Sequence, residues 1–479
     1  MRLLYKLLYI LVLVSVLFMG FIPGSGFSSE AKETVTVALT GKYPPFSFFS
    51  AEGELIGFDV DVSKEIALRL DRELELVTTE WDGILAGLLV GRYDAVIGSM
   101  AITPERQKQV DFSRPYYISG AQVFIHREDA DKYSSIYDLE GKRMGVVLGE
   151  TFEHYLRNNH PEIEAVTYKS TFDIFQDMQN RRIDGFLTDR LVGLYQIEMA
   201  DMPFVARGNL LYEERMGIPV TKDNIELLRL INSALHSMER DGTIEAIYEK
   251  WFGEGAQPVS AVIEPSTVAR NLLRGFSITL FVAAISIGLG FVLSIPWGVG
   301  LNTKIAVLKP VLRFINDFLR STPLLIQLFF VYFGAPQIGI NLTPIQASIF
   351  TLTINCSAYM AEVIRSGLMA VSSGQKYAGR ALGLSKIQVF RYVIWPQAFR
   401  VAIPPLMNSV VALIKDTALI AIIAVGEVIR EAQSIISVTY NPMRYYFIAG
   451  LLFFAFTFPL MKLSGRLEKK IKERGYANA

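Results

Sequence analysis

Two long stretches of this 479-residue chain, 275–303 and 321–361, carry no charged side chain at all. A soluble fold of this size has little reason to string so many uncharged residues together. A bilayer does, because each Asp, Lys or Arg at its centre costs about 2.5–3.5 kcal/mol. The apolar runs Ala402–Ile414, Thr417–Gly426 and Tyr445–Met461 extend the pattern, and Lys415 and Asp416 interrupt it inside a span. A helix needs about 20 residues to cross the hydrocarbon layer. Five spans are therefore expected, near 270–300, 311–334, 342–370, 398–428 and 443–463. Positive side chains follow the first span (Lys304, Lys309, Arg313), the third (Lys376, Arg380, Lys386) and the fifth (Arg466, Lys469, Lys470), while the loop at 335–343 has none. Since Lys and Arg collect on the cytoplasmic side, odd-numbered spans end in the cytoplasm.

The net charge of zero hides a division. Residues 253–479 hold 21 Lys and Arg against 9 Asp and Glu, so the back half is basic by 12 and the front half acidic by 12. Arg2 and Lys6 precede an uncharged run from Leu7 to Pro23 and then small residues, the layout of a secretory signal or an N-terminal anchor. The acidic half is thus expected outside the membrane. Within it, β-like runs such as Val35–Leu39, Leu74–Thr78 and Arg143–Val147 alternate with amphipathic helical ones such as Val60–Leu70 and Asn224–Asp241. That alternation predicts an α/β architecture with mostly parallel sheets. The domain plan is a signal or anchor over 1–29, an external domain over 30–252, a Gly/Pro/Ser linker over 253–266, a membrane domain over 267–465 and a basic tail over 466–479.

In α/β folds, ligands gather beyond the carboxyl ends of strands, and helix N-termini offer free N–H groups to anions. Several motifs fall at such junctions: Tyr43-Pro44-Pro45-Phe46, Gly98-Ser99-Met100-Ala101 with Arg106 beyond it, Gly149-Glu150-Thr151 and Leu187-Thr188-Asp189. Two backbone anion sites, one Arg and one Asp suit the zwitterionic end of an amino acid. Taken singly, an Arg at a helix start is usually solvated, and an Asp ending a strand is usually a helix cap.

Together these motifs closely resemble the periplasmic binding proteins of the polar amino-acid family over about 33–252. The resemblance implies a two-lobed, type II binding-protein fold. It also implies that Tyr43 and Trp81 sandwich the ligand's side chain and that Ser99 and Ala101 offer N–H groups to its α-carboxylate. Arg106 would grip that carboxylate in a bidentate pair, Thr151 would add a donor, and Asp189 would accept from the α-ammonium. Thr40 and Val147 match positions that tune side-chain choice, and binders of basic amino acids usually have Asp where Thr40 stands.

The segment Ser372–Pro396 is a basic, amphipathic elbow between apolar regions. It looks like the cytoplasmic coupling loop of bacterial ABC-importer permeases, with Gly383 and Pro396 at that loop's spacing and Tyr377-Ala378-Gly379 where its Glu-Ala-Ala stands. Residues 318–334 and 357–367 add similarity to the His/Glu/Gln-type permeases over nearly all of 265–465, implying an all-α domain. Glu362 and Arg365, one turn apart, are expected to pair.

The resemblance implies a multi-pass component of an amino-acid importer in the cell membrane, working as a permease dimer, with ATP hydrolysed on a separate ATPase subunit and no cofactor in this chain. Gly41-Lys42 and Gly141-Lys142 are followed by Tyr43 and Arg143 instead of Ser or Thr, so no phosphate-binding loop is present. No nucleic-acid partner is expected. Two rivals remain: a ligand-gated channel of the glutamate-receptor type, in which pore helices interrupt the binding domain, and an enzyme on the same scaffold. The lone Cys356 lies in an apolar span, and the four histidines lack metal-ligand spacing.

Overall fold

The computed structural model describes residues 33–50, 53–199, 201–252, 264–303, 305, 307–439 and 441–473. The expected signal or anchor, all but the last three residues of the linker and the last residues of the basic tail lie outside the described residues.

The first lobe is built on a five-stranded sheet in the order Glu73–Thr78, Thr34–Leu39, Ala95–Val96, Pro219–Thr221, Val110–Phe112. Thr34–Leu39 runs parallel to both its neighbours, with Val37 opposite Leu76 on one side and Ala95 on the other. Helix Phe58–Arg69 buries Phe58, Val62 and Ile66 in the core of this lobe. In the second lobe the order is Glu164–Tyr168, Arg143–Val147, Gly185–Asp189, Tyr117–His126, and the last of these also pairs with Phe204–Arg207.

Two strands join the lobes. Tyr117–His126 and Glu213–Gly217 pair antiparallel, with Gly120 opposite Glu213 and Tyr117 opposite Met216. The second of them also pairs with Met100–Ala101 of the first lobe. These are the two crossovers between the lobes. The returning strands make the sheets mixed, which corrects the expectation of mostly parallel sheets. Four pairings are parallel, and every pairing made by the two crossover strands is antiparallel.

In the membrane half, Pro265–Leu301, Pro344–Ala370, Lys386–Ile423 and Pro442–Ile471 are long and apolar enough to span. The expected second span is broken. Helices Leu308–Ser321 and Leu324–Ile338 meet at 105°, making a fifth span only if the bent pair counts as one. Pro323 lacks an N–H and drives Thr322 to an extended backbone with ψ of 139°, so no continuous helix can pass. The expected fourth span stops at Ile423. Ala424 takes a left-handed φ of 63°, and a separate helix, Val428–Thr439, follows.

The spans approach closely where glycine removes the side chain. A Cβ on Gly298 would lie 2.7 Å from the Ala361 carbonyl oxygen, and one on Gly367 would lie 2.7 Å from that of Ala398. Glu362 and Arg365 form the expected pair, Nε to Oε2 at 2.9 Å. Val428, Ala432 and Ile436 of helix Val428–Thr439 belong to one apolar cluster that joins the core of the first lobe to the membrane helices, including Leu272 and Tyr445.

Candidate functional site

The carboxyl ends of Thr34–Leu39, Ala95–Val96 and Arg143–Val147 open onto one cleft between the lobes, with about 670 Å³ of empty space. Eight of the nine residues singled out for substrate line it: Thr40, Tyr43, Trp81, Ser99, Ala101, Arg106, Val147 and Thr151. Thr40 and Ser99 come from the first lobe, Val147 and Thr151 from the second, so a bound ligand would touch both.

Arg106 sits in the short helix Pro104–Gln107, capped by the Thr103 hydroxyl and started by Pro104. Its guanidinium donates to the Ala101 carbonyl at 3.0 Å and to the Gly149 carbonyl of the other lobe at 3.5 Å, and it lies 5.5 Å from the centre of the Trp81 ring. Burial pulls its proton affinity down, while Glu214 and Glu150 act the other way. The cation thus stands at the lobe junction, desolvated and close to an aromatic wall.

Ser99 is held unusually firmly. Its φ is 55°, in the left-handed region that non-glycine residues rarely adopt. The Ser99 N–H donates to the Tyr116 hydroxyl at 3.0 Å, and its own hydroxyl donates to Asp59 Oδ2 at 2.8 Å. Tyr116 in turn donates to Asp59 Oδ1 at 2.7 Å. Asp59 is fully enclosed, and burial pushes its carboxyl up to about 7 against these two hydrogen bonds. In this structure the Ser99 N–H is therefore engaged with Tyr116.

Asp189 is the ninth residue, and it does not line the cleft wall. Its Oδ1 accepts from the N–H groups of Leu191 and Val192 at 2.8 and 3.3 Å, capping the start of Arg190–Met199. Its carboxylate is buried near the Ser119 hydroxyl, and burial pushes it up to about 6 against the hydrogen bonds it accepts.

Two acids on the cleft wall were not anticipated. Glu150 begins helix Thr151–Asn159, and its Oε2 is out of contact with solvent and without a hydrogen-bond partner. Burial, then Glu214, push its carboxyl up to about 8, with Arg106 opposing. Glu214, on a crossover strand, is raised by burial as well. Glu150 lay in a motif picked out for its backbone N–H groups, and its side chain was the overlooked signal. Lys42, Glu80 and Lys169 also line the cleft.

The elbow is a helix Ser373–Ala381, a turn, and a second helix starting at Lys386 that runs on into the third of the long spans. Gly383 takes a φ of 81°, and Gly379 lets the two arms close, since a Cβ there would meet Val389 at 3.1 Å. Tyr377 (73 % exposed), Leu382 (81 %) and Ile387 (77 %) present an uncovered apolar surface, and Pro396 lies two residues into the helix that follows.

Residues 35–254 match the bacterial extracellular solute-binding proteins, family 3, and residues 287–473 match the binding-protein-dependent transport system inner membrane component. The L-cystine-binding protein TcyJ of Escherichia coli K12 is 38% identical over 230 residues, covering 48% of this chain and 86% of that protein. The ABC transporter arginine-binding protein 1 of the same strain is 35% identical over 237 residues, 47% of this chain and 93% of that one. The back half resembles the probable glutamine ABC transporter permease protein GlnP of Bacillus subtilis, 39% identical over 201 residues, 41% of this chain and 92% of that protein. An ancestral arginine-binding protein bound to glutamine superposes with a TM-score of 0.45 at 38% identity, covering 47% of this chain and all of that one. The candidate membrane helices follow the binding domain instead of interrupting it, an order that does not favour the channel reading. The chain belongs to the amino-acid ABC importers, as an extracellular solute-binding protein of family 3 fused to an inner-membrane transport component.

Proposed function

We propose that this chain captures an amino acid bearing a second cationic nitrogen and passes it inward across the cytoplasmic membrane, driven by separate ATPase subunits. The observation that carries the ligand class is the buried, unpartnered carboxylate oxygen Glu150 Oε2 on the cleft wall. A buried charge is retained where something pairs with it. In the roles carried over from the family, Arg106 takes the α-carboxylate with Ala101 and Thr151, Asp189 takes the α-ammonium, and Tyr43 and Trp81 enclose the side chain. Glu150 is then left for a further cation, taking the part that the family's Asp plays at the position of Thr40. Arginine and cystine, which the relatives above are named for binding, both carry such a nitrogen.

The ATPase reading is supported by the exposed apolar face of the elbow and by a sequence with no phosphate-binding loop of its own. A homodimer of the membrane domain would present two elbows to two ATPase chains. The test is thermal unfolding of the purified chain with each L-amino acid, since a ligand that binds the native state raises its stability. L-arginine or L-cystine should raise the melting temperature more than L-glutamine. No rise with any L-amino acid at millimolar concentration would sink the reading.

A further inference from the structure

The binding domain and the membrane half enclose a second cavity, with about 1060 Å³ of empty space. It shares Lys42, Glu80, Trp81, Lys169 and Ser170 with the ligand cleft, so the two spaces adjoin. Its far wall belongs to the membrane half: Gln433, Ile436 and Ser437 of helix Val428–Thr439, with Ile422 and Tyr446.

The first lobe seals one side. Arg430, 4 % exposed, donates to Glu80 Oε1 at 2.8 Å and to the Thr40 carbonyl at 3.2 Å. Lys42 Nζ bridges Glu80 and Gln433 Oε1, the latter at 2.8 Å. Farther out, Arg92 stacks 3.9 Å above the Tyr332 ring and donates to the carbonyls of Tyr332 and Leu342. Across the cavity, the second lobe contributes Lys169 and Asp173. Asp173 Oδ2 accepts from the Ser170 hydroxyl at 2.9 Å, while Lys169 makes no hydrogen bond among the described residues. An ammonium and a carboxylate four residues apart, facing polar Gln433, Ser437 and Tyr446, match the two charges of an amino-acid backbone.

We propose that this cavity is a second amino-acid site, occupied between release from the cleft and entry among the membrane helices. Lys169 receives the α-carboxylate, and Asp173 receives the α-ammonium. Because Lys169 borders both spaces, it can hold the carboxylate while the ligand leaves Arg106. The proposal rests on the amino-acid reading above, and the test separates the two.

The full chain in lipid nanodiscs is titrated with radiolabelled L-arginine and, separately, L-cystine by equilibrium dialysis. The expected result is two equivalents per chain for at least one of them, one tight and one weaker. Asp173→Asn should weaken only the second, by about ten- to a hundredfold, the worth of a charged hydrogen bond. Ser437→Trp, which puts an indole into the cavity, should abolish it, and the unchanged tight equivalent reports that both variants are folded. A single equivalent in the wild type, or a second one that survives Ser437→Trp, overturns the cavity site and leaves the cleft standing. No binding at all overturns both.

Discussion

Arg106 is the residue on which recognition of the carboxylate turns. Arg106→Ala should lose about 2–5 kcal/mol, because truncating one partner of a buried charge pair leaves the other unpaired; that is roughly 30- to several-thousand-fold in affinity. Arg114 is the control: it pairs with Glu239 at 2.8 Å on the outside of the first lobe, and Arg114→Ala should bind normally. Calorimetry on both variants decides it, and near-wild-type affinity in Arg106→Ala would remove the carboxylate assignment. Glu150 gives a second prediction. Its carboxyl is raised to about 8 by burial, so the free protein keeps a proton there at neutral pH. A cation binding beside it must expel that proton, so affinity for L-arginine should climb between pH 6 and 8, by at most about tenfold per unit. The free fold moves oppositely, losing stability as pH rises from the ordinary carboxylate range toward 8. Glu150→Gln should flatten the binding slope; an unchanged slope would take Glu150 out of ligand contact. The positions around the cleft were legible because strand ends and helix starts fix where side chains converge. Glu150 and Glu214 were not, since only the folded cleft shows how far their carboxylates are buried.

The elbow is the element whose local chemistry is plainest. Gly383 stands at a φ of 81° with open space where a Cβ would go, so the backbone alone demands glycine. A side chain there costs about 1–2 kcal/mol in the left-handed region, and more for a β-branched one. Gly383→Val should therefore disturb the exposed Tyr377–Leu382–Ile387 face, leave ligand affinity intact and uncouple ATP hydrolysis from substrate. Normal substrate-stimulated hydrolysis by the assembled complex would deny this face its docking role. Elements with a strong periodic or apolar signal, such as Arg143–Val147 and Pro344–Ala370, appear where the sequence puts them. One that went unread, Phe204–Arg207, is a short strand ending in Arg and held by tertiary pairing to Tyr117–His126. The straight second span failed for a local reason: its uncharged composition masked the stop at Thr322-Pro323.

At the scale of the molecule, the fusion lets the membrane half touch the back of the ligand site. Glu80 immediately precedes Trp81 and holds two cations, Lys42 from its own lobe and Arg430 from helix Val428–Thr439. Burial opposes ionisation of Glu80, but Lys42 and Arg430 outweigh it and hold its carboxyl below the usual range. Burial, then Arg430, lower Lys42 to about 8. The three charges stand or fall together, because removing Glu80 leaves two buried cations side by side. No sequence pattern announces such a junction, since Glu80 and Arg430 are 350 residues apart. Glu80→Gln and Arg430→Met should each loosen the first lobe from the membrane half, read as faster amide hydrogen exchange at 80–89 and 428–439. The double variant should exchange no faster than Glu80→Gln alone, because residues in one network do not act additively. The same strap predicts which lobe moves. The ion pair Glu80–Arg430 and the Lys42–Gln433 hydrogen bond tie helix Val428–Thr439 to the first lobe, so ligand release should swing the second lobe away while exchange at the Glu80–Arg430 contact stays slow. Equal protection changes at both lobes' edges on adding L-arginine would rule out that asymmetric opening.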